Sequence, residues 1–101
     1  MRKTLLKTLA GLFMLVLSGA VHATDMHTQV IAATCMACHG PDGKSRSAFM
    51  PGLAGLEASV FMQAMQEFRS GAREASIMKR HAAGYTNAEF EAMAAYFAAL
   101  K

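Results

Sequence analysis

Both cysteines of this 101-residue chain stand in one run, Cys35-Met36-Ala37-Cys38-His39, followed at once by Gly40-Pro41-Asp42-Gly43. No other stretch narrows the fold so sharply, because C-x-x-C-H predicts a helix that ends in a covalent haem attachment site. On the last turn of a helix, thiols three positions apart share a face. From that face each can add to a vinyl group of the porphyrin, and His39, next in line, can turn its imidazole onto the iron from the same side. Two thioethers and a proximal histidine hold the cofactor in one orientation without a deep pocket.

The first residues point to export. Met1-Arg2-Lys3 with Lys7 make a positive start, Leu9 to Val16 an apolar run, and Val21-His22-Ala23 a small-residue cleavage site. Together they predict a signal peptide over residues 1–23 and one mature domain over 24–101, in the periplasm. The apolar run is short for a membrane span and its flank is rich in small residues, so no membrane insertion is expected after cleavage; an uncleaved anchor is the other reading. Charge changes with the leader: removing Arg2, Lys3 and Lys7 from ten basic residues leaves seven, against seven acidic ones. The basic isoelectric point of about 9.1 therefore belongs to the precursor, and nucleic acid is not an expected partner.

Three other chemistries use the same residue types. A thioredoxin-like redox pair needs an α/β surround, and the chain shows no strand pattern. A disulfide across so short a loop removes little entropy from the unfolded chain. A zinc site from Cys35, Cys38, His39 and His81 has suitable ligands but lacks the paired knuckles usual for such sites. Outside the cytoplasm neighbouring thiols oxidise unless another bond consumes them, and thioether formation is such a bond. A buried haem would also supply apolar mass to a domain of marginal size.

Three main helices are expected. The first starts near Asp25 and runs into the motif, with Ile31, Thr34, Cys35 and Cys38 on one stripe. Pro41-Asp42-Gly43 stops it, and Gly40 to Gly55 reads as an ordered loop along one haem edge. Within that loop Pro51 keeps a carbonyl to receive the second ring N–H of His39, the usual way an iron-bound histidine is oriented; an ordinary turn proline is the other reading. The second helix covers about Ala58 to Ser70, its stripe Phe61, Ala64, Met65 and Phe68, with Gly71 as its stop. Ala72–Tyr85 reads as a connection. The third helix opens on a Thr86/Glu89 capping box and carries Phe90, Met93, Ala94 and Phe97 on to Leu100. It can cross the first helix where Ala32 and Ala33 permit close approach.

The ligand opposite His39 decides between a carrier and an open-iron protein. Methionine is the thioether that raises the potential. Met36 lies inside the motif, Met26 near the mature N-terminus, and Met62, Met65 and Met93 on predicted helices, Met65 and Met93 among them on the apolar stripes, where packing is the commoner role. Met50 and Met78 remain, and Met78, between the second and third helices, is placed to close over the far face. His81 is a rival that would make a bis-histidine site, and His27 a weaker one. An open-iron peroxidase or gas sensor would need a distal acid–base pair, which only a forced role for His81 or Arg80 would provide.

The motif with Gly40 and Gly43, the Pro51 loop, Met78 and the helix ending Ala94-Ala95-Tyr96-Phe97 resemble a class I c-type cytochrome over essentially the whole mature chain. More narrowly, Phe68-Arg69-Ser70-Gly71, Ile77-Met78-Lys79-Arg80 and Gly84-Tyr85-Thr86 resemble the haem subunit of flavocytochrome c sulfide dehydrogenase; free carriers of the cytochrome c553 and c4 type share much of this. The resemblance implies an all-α fold around one covalent haem c with His39 and Met78 as axial ligands. It also implies electron transfer rather than catalysis by the chain itself, with redox partners that include an FAD-bearing sulfide dehydrogenase subunit and another cytochrome c. His81 stands where that pattern has an aliphatic residue.

Overall fold

The computed structural model describes residues 25–101. The expected leader lies outside these residues. The described chain is helical throughout its regular structure, with four α-helices and no strand. Among the described residues no helix is long and apolar enough to cross a membrane.

Helix α1, Met26–His39, begins where the Asp25 carboxylate accepts the His27 N–H at 3.2 Å, an N-cap of the ordinary kind. Its buried residues, Thr28, Ala32 and His39, fall on one stripe. Ala32 is fully buried and lets α1 lie close to the last helix, whereas Ala33, the other small residue expected at that crossing, is exposed. A short 3-10 turn, Pro41–Gly43, follows.

Helix α2 runs Ala58–Ser70, the bounds expected from its stripe, and buries Phe61 and Met65. Gly71 stops it at φ 85°, the left-handed conformation that glycine adopts without strain. Helix α3, Met78–Ala83, is a correction to the sequence reading, which makes Ala72–Tyr85 a non-helical connection. Six residues are fewer than two turns, too few for an apolar period to register. Good helix formers and one fully buried anchor, Ala82, form it nonetheless. Met78 therefore stands on a helix and not in a loop.

Helix α4, Asn87–Ala98, has the expected reciprocal box: the Glu89 N–H donates to Thr86 Oγ1 at 3.2 Å, and the Thr86 N–H to the Glu89 carboxylate at 2.8 Å. It ends two residues before Leu100, whose N–H turns back to the Phe97 carbonyl at 3.1 Å. Helix α2 packs on both α3 and α4, and α1 packs on α4. Their shared core is aromatic: Phe61 stacks on Phe97 at 5.8 Å, and Tyr96 meets Phe97 edge-on at 5.3 Å. Phe90, Met93 and Phe97 are the largest fully buried side chains. This is the all-α architecture that the resemblance implies, with four helices where three were expected.

Candidate functional site

The motif occupies the last turn of α1. Cys35 is half-buried, Cys38 is exposed, and both thiols are free. Burial pushes the Cys35 thiol above its ordinary pKa, a hydrogen bond with Thr34 opposing part of that rise. Its Sγ lies 4.0 Å from the Ile31 carbonyl one turn back. His39, at the end of the helix, is buried.

What brings the next segment to His39 is the turn after the motif. Gly40 sits at φ 91°, where an added Cβ would lie 2.0 Å from the Lys44 carbonyl oxygen, so only glycine lets the chain double back there. Gly43, at φ 71°, offers its carbonyl to the N–H groups of Leu53 at 2.8 Å and Ala54 at 3.1 Å. Gly55 N–H then reaches the Phe97 carbonyl at 2.9 Å, sewing the loop to α4. The loop so closed places the Pro51 carbonyl 2.7 Å from His39 Nδ1. A carbonyl only accepts, so Nδ1 carries the hydrogen, and in the neutral ring the Nε2 lone pair is left for another partner.

The other candidates stand elsewhere in the fold. Met78 is half-buried at the start of α3 and packs on the core. Met50 is half-buried next to Pro51, on the segment tied to His39. His81 is exposed. His27 stands at the far end of α1, its Nε2 2.8 Å from the Glu89 carboxylate. Glu89 is held below the usual carboxylate range, first by the Thr86 N–H and then by His27. Among the described residues no three His, Cys, Asp or Glu side chains gather as a metal site, so Cys35, Cys38 and His39 do not meet His81 in a zinc cage.

These residues suit haem. The donor set is two neighbouring free thiols and an imidazole with its second nitrogen already engaged. The segments that hold the two candidate methionines also present uncovered apolar side chains beside them, Phe49 at 93 % and Ile77 at 52 % exposure. Three contacts escaped the sequence reading: Tyr85 Oη to Thr34 Oγ1 at 2.9 Å, and the Arg69 guanidinium on Asn87 Oδ1 and, at 3.2 Å, on the Tyr85 carbonyl. Nothing in the residue pattern marks partners so far apart in sequence.

A family model for cytochrome c matches residues 27–101. The chain is similar to the cytochrome subunit of sulfide dehydrogenase of Chlorobaculum tepidum, 35 % identical over 74 residues that make up 73 % of this chain and 66 % of that protein. It is similar also to a thiosulfate dehydrogenase electron acceptor of Stutzerimonas stutzeri, at 37 % over 100 residues, 91 % of this chain and 46 % of that protein. Cytochrome c-554(548) of Halomonas halodenitrificans is 33 % identical over 67 residues, 63 % of this chain and 81 % of that protein. The chain thus spans about two thirds of the first relative and about half of the second. It belongs to the cytochrome c family, a family of electron carriers, and carries haem c bound covalently.

Proposed function

We propose that this chain is a periplasmic one-electron carrier, its haem attached through Cys35 and Cys38 with His39 and Met78 as axial ligands, and that it serves as the haem-bearing partner of a sulfide-oxidising flavoprotein. The observation that carries the reading is the 2.7 Å bond from His39 Nδ1 to the Pro51 carbonyl. It fixes the ring and leaves Nε2 as the donor, which is the arrangement a proximal histidine needs.

Haem c supplies the ferrous–ferric couple. The chain's residues tune it. Pro51, by accepting from His39, raises the basicity of the proximal ring. Met78 is preferred over Met50 because residue 51 is tied to the His39 side, and a ligand on the opposite face must come from elsewhere in the chain. His81 is exposed where Met78 faces the core, and His27 is engaged with Glu89. A thioether in that place favours ferrous iron and a high potential. Periplasmic placement rests on the leader pattern in residues 1–23.

The first two relatives above are named for sulfur-compound dehydrogenases, which supports a partner of that class. One observation favours a second reading, a free-standing carrier of the cytochrome c553 type: the chain matches 81 % of cytochrome c-554(548), a closer fit in length than either dehydrogenase-related protein.

A native periplasmic extract on a sizing column separates the two, with haem absorbance and flavin fluorescence followed together. Co-elution well above the size of a small cytochrome, with haem reduced on adding sulfide, is the expected result. Haem eluting alone as a small species establishes the free carrier. For the ligands, Met78→Ala should abolish the methionine–iron charge-transfer band and let ferrous protein bind carbon monoxide rapidly; an unchanged spectrum would remove Met78 from the site.

A further inference from the structure

Helix α3 carries Met78 at its first position, and the chain leading into it is hydrogen-bonded only as far as Arg73, whose N–H donates to the Glu67 carbonyl at 3.2 Å. Among the described residues Glu74, Ala75 and Ser76 form no hydrogen bond, and Ile77 caps the helix without a side-chain bond. Besides the packing of Met78 on the core, the helix is therefore anchored downstream, where Ala82 is fully buried and Tyr85 follows the helix end.

Tyr85 is tied in three directions. Its carbonyl accepts from Arg69 of α2 at 3.2 Å, and its ring lies 6.5 Å from Phe90 of α4. Arg69 also donates to Asn87 Oδ1 and lies 4.7 Å over the Phe90 ring, so the guanidinium is itself fixed. The third tie is the 2.9 Å contact with Thr34 Oγ1. Thr34 has one hydroxyl hydrogen and gives it to the Ile31 carbonyl at 2.6 Å, so Tyr85 is the donor of that bond. Thr34 adjoins Cys35. One residue thus joins the C-terminal end of the Met78 helix to the turn of α1 that bears the attachment motif.

We infer that Tyr85 is a positioning residue: its hydroxyl on Thr34 and its carbonyl on Arg69 set where the Met78 helix stands relative to the attachment motif, and so how firmly Met78 holds the iron. This rests on Met78 being the ligand. Its chemistry is mechanical, since Tyr85 needs no contact with the cofactor.

The test is a double-mutant cycle in holoprotein with Tyr85→Phe and Thr34→Val, each removing one side of the 2.9 Å bond while nearly keeping its shape. The readouts are the methionine–iron charge-transfer band, the reduction potential and the rate at which carbon monoxide replaces Met78 in ferrous protein. Each single variant should raise that rate by roughly two- to tenfold, the factor equivalent to one hydrogen bond. The double variant should add nothing to the larger single effect, as expected for two ends of one interaction. Leu100→Ala, which thins the core at the far end of α4, is the control: it lowers the melting temperature but should leave the rate unchanged.

Three results would overturn the inference: unchanged rate and band in both single variants while Met78→Ala loses the band, rates that multiply in the double variant, or an equal rise in Leu100→Ala. If Met78→Ala itself keeps the band, the ligand assignment falls first and this inference with it, which distinguishes the two failures.

Discussion

The loop from Gly40 to Glu57 and the helices α2 to α4 are ordered by different means. In the loop only Gly43 and Leu53 are buried, and the path is held by a few backbone bonds that converge on Gly43 and Phe97. In the helical part Phe61, Phe90, Met93 and Phe97 share a continuous core. Burying each of these side chains contributes about 1.5–3 kcal/mol, spread over many contacts. Substitution should accordingly act in steps in the loop, where one atom can close or open the path, and by degrees in the core. Phe97 belongs to both: its ring packs on Phe61 and lies 3.1 Å from where a Cβ on Gly43 would be, and its carbonyl receives Gly55.

The largest effect tests whether the loop depends on the cofactor. Replacing Cys35 and Cys38 together by serine should remove all covalent haem, seen as loss of haem stain on a denaturing gel, and expose Lys44–Met50 to protease before the helices. Cleavage starting in α2 instead would break the contrast. Phe97→Ala comes next, at about 3–5 kcal/mol in chemical denaturation, the range for emptying a buried aromatic site. A loss confined to the helical part, with the loop's amide protection kept, would show that the two regions are less joined than the contacts indicate.

Gly43→Ala should cost about 1–3 kcal/mol through the left-handed backbone, and more if its Cβ, 2.9 Å from the Ala54 nitrogen, shifts the loop. Its denaturation midpoint decides whether the loop responds in a step; no measurable change would mean the loop has slack. Thr86→Ala removes a cap of α4 and should cost about 1 kcal/mol, with amide exchange faster only in the first turn of that helix.

The smallest effect is on pH. Glu89 is depressed in the folded chain by the Thr86 N–H and by His27, so its contribution is complete above the ordinary carboxylate pKa and fades as pH falls through the lowered folded value. Glu89→Gln should flatten that acid limb of the stability curve while leaving its slope near neutrality unchanged. Equal acid limbs in the two proteins would show the carboxylate to be no better held than in the unfolded chain.

Much of the architecture was legible because its signals are local. Thr86 and Glu89 of the box lie three positions apart, Phe61 and Phe68 of the stripe seven, and Gly71 marks its own stop; each signal acts within a turn or two of helix, so neighbours in sequence are neighbours in space. Helix α3 was not legible, because its anchor, Ala82, is an alanine whose burial depends on α2 packing over it. The same holds for contacts across long separations: Tyr85 with Thr34, 51 positions apart, and His27 with Glu89, 62 apart.

By itself the sequence determined the attachment chemistry, the helical class and most helix ends, since thiol spacing, capping and apolar period are properties of short segments. Only the tertiary structure decided that the Pro51 carbonyl meets His39, that Met78 opens a helix, and that Tyr85 joins that helix to α1. Those facts depend on how the chain returns upon itself. The return is set by the summed packing of Phe61, Phe90 and Phe97 and by the left-handed turns at Gly40 and Gly43, which no single short segment encodes.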